Sequence, residues 1–183
     1  VSLSAPGTVR VWDLAQRLMH WGLAASVALA WWAGESRLAL HLWAGYTALG
    51  VVLARGVWGL AGSRHARFAS FVHGPRVVVG YAGRLLRGDA PRMLGHNPLG
   101  GWMIVLLLLC VVVVCVSGIL YTTDRFWGLE WLERTHRISA WVLVGLVAVH
   151  LSGVAFMSWR HRENLVAAMW SGKKRRTEPT TER

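Results

Sequence analysis

Eight histidines are spread along this chain of 183 residues, and four of them, His20, His41, His136 and His150, fall at or inside strongly apolar stretches. An ionisable side chain in such a stretch is costly and is usually there for function. His136 and His150 are 14 residues apart, as are His41 and Arg55. On a helix this spacing brings two side chains to within about 40° of the same face and separates them by ~21 Å along the axis. A lone histidine so placed serves equally well as a hydrogen-bonded core residue or a proton relay. Four at matched depths and facings suit a different chemistry. Two imidazoles facing each other can hold a six-coordinate iron, one on each face of a porphyrin. One shared zinc site is excluded, because the ~21 Å offset keeps the four ligands apart.

The segments that carry these histidines are apolar and long. Hydrophobic residues make up 54% of the chain and charged ones 16%. Residues 102–121 contain no charge at all, and roughly 20 such residues cross a bilayer core. Three further candidates cover 18–34, 38–61 and 138–159. The first helix is expected to begin near Val11, and the fourth to run from about His136 to Trp159. The first apolar stretch starts only near Leu18 and lacks a small-residue cleavage site, so it reads as a span rather than a signal peptide. The fold class is therefore all-α, an integral membrane four-helix bundle with a di-haem core. Residues 1–172 form its domain, and 173–183 a basic, polar cytoplasmic tail expected to be disordered.

Charge supplies the topology. The chain carries a net +11, distributed unevenly. Residues 62–96 hold six arginines against Asp89, and 160–183 hold seven basic residues against three acids. The loop at 35–37 balances Glu35 with Arg37, and the loop at 122–135 is slightly acidic. The positive-inside rule then puts both termini and the long middle connection in the cytoplasm. A basic chain can also bind nucleic acid, but here the charge sits where membrane topology needs it. Under this topology His41 and His136 lie at the periplasmic depth, and His20 and His150 at the cytoplasmic depth. The pairs are thus His41/His136 and His20/His150, on facing helices of one bundle.

Arg55 falls on the His41 face at the cytoplasmic depth. It can donate to a haem propionate of the His20/His150 site or snorkel to the headgroups. Small residues near the histidines, Ala24, Gly45, Ala48 and Ala140, leave room for a flat macrocycle, though they are also ordinary in packed membrane helices. Within 62–101, Pro75–Leu86 mixes apolar residues with Arg76 and Arg84 and reads as a helix lying on the membrane surface. The segment 124–135 reads as a short interfacial helix. His96-Asn97, before the third span, reads first as a capped turn and second as lining for a cytoplasmic quinone pocket. Cys110 and Cys115 point in different directions and read as buried packing thiols. Most of the 12 tryptophans, including Trp12, Trp32, Trp43, Trp58, Trp102, Trp127, Trp131 and Trp159, read as an aromatic interface belt. The third span, with no histidine, reads as packing only.

These residues resemble the prokaryotic cytochrome b561 family, which includes the cytochrome b subunits of nickel–iron hydrogenases. The matching pieces are Val11-Trp12-Asp13 with Arg17 and His20-Trp21, then His41 with Gly45-Tyr46, and Gly95-His96-Asn97-Pro98-Leu99-Gly100. After them come His136 and His150, and an ending of Arg162-Glu163-Asn164-Leu165 with Gly172-Lys173-Lys174. The resemblance covers nearly the whole chain. It implies a four-helix bundle in the bacterial inner membrane, two non-covalent b haems with bis-histidine ligation, and exchange with ubiquinone or menaquinone or with a redox protein. Its ligand pattern falls on His20, His41, His136 and His150, the four that spacing and depth single out.

Four functions compete at this stage. The leading one is a conduit passing electrons between the membrane quinone pool and a periplasmic partner, such as a c-type cytochrome or an oxidoreductase subunit. In that reading the acidic, aromatic segment 124–135 is a docking surface for a partner with a basic rim. The chain could equally be the membrane-anchor cytochrome b subunit of a hydrogenase or dehydrogenase, with the enzyme part on another polypeptide. Superoxide oxidation coupled to quinone reduction, an activity known in this family, calls for a positive funnel at the periplasmic haem. Arg125, Arg134 and Arg137 would have to supply it. A non-redox scaffold or transporter leaves the four placed histidines unexplained.

Overall fold

The computed structural model describes residues 7–176. A short strand β1 (Thr8–Arg10) leads into helix α1 (Leu14–Ala33). A 3-10 turn (Glu35–Arg37) connects it to α2 (Leu38–Ala61). A second 3-10 turn (Phe68–Ser70) precedes α3 (Pro75–Arg87). Then come α4 (Pro98–Tyr121), α5 (Glu130–His161), α6 (Leu165–Ser171) and strand β2 (Lys173–Arg175).

Local chemistry sets the helix ends. Asp13 caps α1 by accepting the Gln16 N–H at 2.7 Å, and Asn97 caps α4 by accepting the Gly100 N–H at 2.7 Å, ahead of Pro98 at the first helical position. Gly88 ends α3 in the left-handed region, at φ 84°, which glycine enters without a Cβ clash. The capped-turn reading of His96-Asn97 is thus what the backbone shows. α3 also matches its expected span, with Val77, Val79 and Leu86 on an exposed face.

α1 and α2 form one antiparallel hairpin, α4 and α5 another, and α2 packs on α4 to join them. The buried core is Ala48 and Val52 of α2, Val111 and Cys115 of α4, and Leu143 of α5. Leu23 and Val27 bring α1 against it. Outside that core the helices present leucine, valine and tryptophan outward, as a bilayer-facing surface does. α2 with its leading turn, α4 and α5 are each long and apolar enough to cross a membrane. α1 has 20 residues, but its first turns carry Gln16, Arg17 and His20, which lower its apolarity.

Several expectations change. α1 starts at Leu14 rather than near Val11, because the Asp13 cap fixes its first turn. The separate interfacial helix over 124–135 is absent: a turn at 123–127 and Gly128, at φ 75°, lead directly into α5, which starts at Glu130. Glu130 and Glu133 favour that start, since acids suit a helix N-terminus. The tail does not become irregular at Lys173. Lys173–Arg175 pairs antiparallel with Thr8–Arg10, in the register Thr8 with Arg175 and Arg10 with Lys173. Residues 177–183, the rest of the expected tail, lie outside the described residues. Cys115 is buried and Cys110 half-buried, both free, their thiols directed at the Gly45 and Ser139 carbonyls. Trp43, Trp127 and Trp159 are exposed as a belt requires, but Trp12 is 5% exposed and Trp58 donates its indole N–H to Asp13 at 3.2 Å. Trp12 is therefore part of the interior, and the half-buried Trp58 is tied to the α1 cap.

Candidate functional site

The four histidines come from three helices. α1 supplies His20, α2 supplies His41, and α5 supplies both His136 and His150. The ring centroids of His41 and His136 are 6.0 Å apart. Those of His20 and His150 are 6.5 Å apart. An imidazole nitrogen reaches a first-row metal at about 2 Å, so two rings facing each other across one iron have centroids about 6 Å apart. Both separations therefore leave the room that one metal between two imidazoles requires. The two pairs are four turns of α5 apart, and no cluster of three or more histidine, cysteine or acidic side chains suited to a metal ion exists among the described residues. Two separate two-histidine sites, rather than one cluster, is what these side chains can build.

The His41/His136 pair is held by backbone carbonyls. His41 Nδ1 lies 2.9 Å from the Ala30 carbonyl of α1, and His136 Nδ1 lies 2.9 Å from the Val114 carbonyl of α4. A carbonyl only accepts, so each Nδ1 carries the proton and each Nε2 presents its lone pair. This is the arrangement in which a ligating histidine is oriented by its second nitrogen. α4 also makes room for the ring. A Cβ at Gly118 would sit 2.9 Å from both Cε1 and Nδ1 of His136, too close for a rigid imidazole to tolerate without moving. Thus α4, expected only to pack, shapes this site. Spacing could not reveal it, because the groups involved are a carbonyl and a missing side chain.

Arg55 and His96 are polar side chains apart from that pair, each with a buried nitrogen. Arg55 is 7% exposed, so it does not snorkel. It donates from Nη2 to the Ala66 carbonyl at 3.0 Å, and its guanidinium lies 5.1 Å from the Phe68 ring centroid. Its Nη1 is buried with no partner among the described residues. A buried guanidinium with a free N–H fits a carboxylate such as a propionate. His96 is wedged between Trp12, at 4.5 Å, and Phe71, at 4.9 Å, with its Nδ1 also buried and unpartnered. Burial, with the charges of Arg55 and Lys174, pushes its pKa down to about 3, so it is neutral at physiological pH.

Asp13 is the functional-end residue that spacing alone did not single out. It caps α1 and accepts from Trp58 of α2 and from the Ser63 hydroxyl. Burial alone would raise its carboxyl pKa, but Ser63, the Gln16 N–H, Trp58 and the nearby Arg55 charge outweigh it and hold the group below the usual carboxylate range. Beside it the two ends of the chain lock together. The Val11 and Trp12 amides donate to the Gly172 carbonyl at 2.9 and 3.1 Å. Arg17 donates to the Trp170 carbonyl. Arg92 meets Glu163 at 2.8 Å and donates to the Arg175 carbonyl at 2.9 Å, while the Arg175 amide donates to Glu163 at 3.1 Å. Gly172 takes φ 79°, and a Cβ there would lie 2.6 Å from the Trp12 carbonyl oxygen, so glycine is required on both counts. This clasp is what presses Trp12 against His96.

Comparison with curated proteins finds no match, and comparison with solved structures finds none either. A family model described as prokaryotic cytochrome b561 matches residues 11–172, a span that contains all four histidines. With most of its length matched, the chain belongs to the prokaryotic cytochrome b561 family, membrane haem b cytochromes of electron transfer.

Proposed function

We propose that this protein passes electrons across the bacterial inner membrane through two b haems, between the quinone pool and a periplasmic redox protein. In this reading α1, α2, α4 and α5 all cross the bilayer, α1 being carried through by its packing on α2, and both termini face the cytoplasm. His41 and His136 hold one iron and His20 and His150 the other. Arg55 donates its free Nη1–H to a propionate of the second. The observation that carries the reading is the pair of ring separations, 6.0 and 6.5 Å, found at two depths along the same helix α5.

Bound haem supplies one-electron chemistry at each site. The chain orients the imidazoles through the Ala30 and Val114 carbonyls and surrounds the irons with an apolar bundle that excludes water. Trp127 and Trp131, both exposed, belong to the acidic, aromatic segment 124–135 that precedes His136 in the chain and offer an aromatic docking surface. Ubiquinone or menaquinone is the lipid-soluble partner.

The observed ion pairs favour this conduit over superoxide oxidation. Arg134 is engaged by Glu130 at 3.3 Å and Arg137 by Glu133 at 3.1 Å. Two of the three arginines that could draw a small anion to the periplasmic site are thereby offset within their own helix, which leaves Arg125. The anchor subunit of a hydrogenase or dehydrogenase uses the same conduit with a different donor.

A pyridine haemochrome assay with reduced-minus-oxidised spectra tests the proposal on the purified protein and on His20→Ala and His136→Ala. Two b haems per chain are expected, each variant losing mainly one. A colourless protein, or a haem that survives both substitutions, would overturn it.

A further inference from the structure

The two histidine pairs are not built alike. We infer that the His41/His136 pair holds the lower-potential iron and the His20/His150 pair the higher, and that Gly118 of α4 is a positioning residue for the first. This rests on the two-haem reading proposed above.

Two observations carry it. Both rings of the first pair donate Nδ1–H to a backbone carbonyl at 2.9 Å. Such a bond raises the basicity of the imidazole, and a more electron-rich ligand favours the ferric state. Neither ring of the second pair has a hydrogen-bond partner among the described residues; they face each other beside Trp21.

The consequence is a direction. With haem held at both pairs, one electron would leave the His41/His136 site and one electron would arrive at the His20/His150 site. No bond forms or breaks and no proton moves. In the proposed orientation the downhill sense is from periplasm to cytoplasm. Gly118 sustains the difference. With a Cβ at that position 2.9 Å from Nδ1 and Cε1, the His136 ring must turn away from the Val114 carbonyl and lose its donor bond.

A redox titration followed by optical and low-temperature EPR spectra, on the full chain in lipid nanodiscs, tests this. Wild type should resolve two potentials. His20→Ala should retain the lower and His136→Ala the higher. Gly118→Ala should raise the lower potential and shift the EPR signature of that haem, while the higher potential stays in place. Gly118→Ser should move it in the same sense. The reverse order of potentials in the two histidine variants overturns the inference, as does a Gly118→Ala protein whose two bound haems both titrate as in wild type. Should Gly118→Ala lose its haem, the order in the histidine variants still decides. A haem count other than two defeats the underlying reading instead, and is seen separately in the haemochrome assay.

Discussion

Replacing Glu163 with glutamine should open the clasp while leaving the helical core folded. Glu163 accepts two hydrogen bonds from Arg92, at 2.8 and 3.2 Å, and one from the Arg175 amide at 3.1 Å. Its side chain is 7% exposed and that of Arg92 17%. Removing one partner of a buried ion pair costs about 3–5 kcal/mol, and the partial exposure of Arg92 argues for the lower end. A loss of about 3 kcal/mol is roughly a hundredfold in a local opening equilibrium, at about 1.4 kcal/mol per tenfold. Amide hydrogen exchange reads this directly. The Val11 and Trp12 amides, bonded to Gly172, and the β1–β2 amides should exchange roughly a hundredfold faster by the same conversion, with α4 and α5 unchanged. Acid should mimic the substitution. Burial alone would raise the Glu163 carboxyl, but hydrogen bonds from Arg92 and the Arg175 amide and the Arg92 charge hold it below the ordinary carboxylate range. Its contribution is therefore present above the unfolded pKa and is lost as pH falls through the lower folded value. An exchange increase under about fivefold, which is only about 1 kcal/mol, would refute the idea that this ion pair holds the two ends together.

Other outcomes can be checked on the same preparation. Asp13→Ala removes a helix cap worth about 1 kcal/mol together with its bonds to Trp58 and Ser63; a lower thermal midpoint in detergent is expected, and an unchanged one would contradict it. Arg55→Ala should weaken haem retention at the His20/His150 pair and spare the His41/His136 pair, measured as the loss of one spectral component during dilution. His96→Phe should keep both haems and the fold, because the ring is neutral and packs between Trp12 and Phe71; loss of haem content would show that its buried Nδ1 matters.

Spacing and hydropathy made much of this molecule readable. The 3.6-residue period puts His136 and His150 on one helix face, and the ring centroids of His41 with His136 and of His20 with His150 lie 6.0 and 6.5 Å apart. What was hidden has a common physical origin. The Ala30 and Val114 carbonyls belong to the backbone and have no letter in the sequence. Gly118 acts through an absence of atoms. The clasp joins residues at opposite ends of the chain, such as Thr8 with Arg175, and three-residue strands carry no periodic signal. Trp12 reads as a belt tryptophan from composition, which cannot tell a ring facing headgroups from one facing His96. The continuous start of α5 is not legible because acids and tryptophans at 124–135 read as interface, while the turn before Glu130 depends on Gly128 at φ 75°.

Pairing β1 with β2 turns an open string of helices into a closed circuit. The first and last long helices, α1 and α5, do not pack backbone to backbone; they touch through the tips of paired rings such as Trp31 and Trp141, 4.9 Å apart, and through the facing histidines. In an open string the width of that seam would drift with every bend of the α2–α4 contact. In a circuit it is measured from both ends, by the tight turn at one face and by the strand pair at the other. The seam can then keep the gauge of a flat macrocycle before one arrives, so that filling it requires little rearrangement of the bundle.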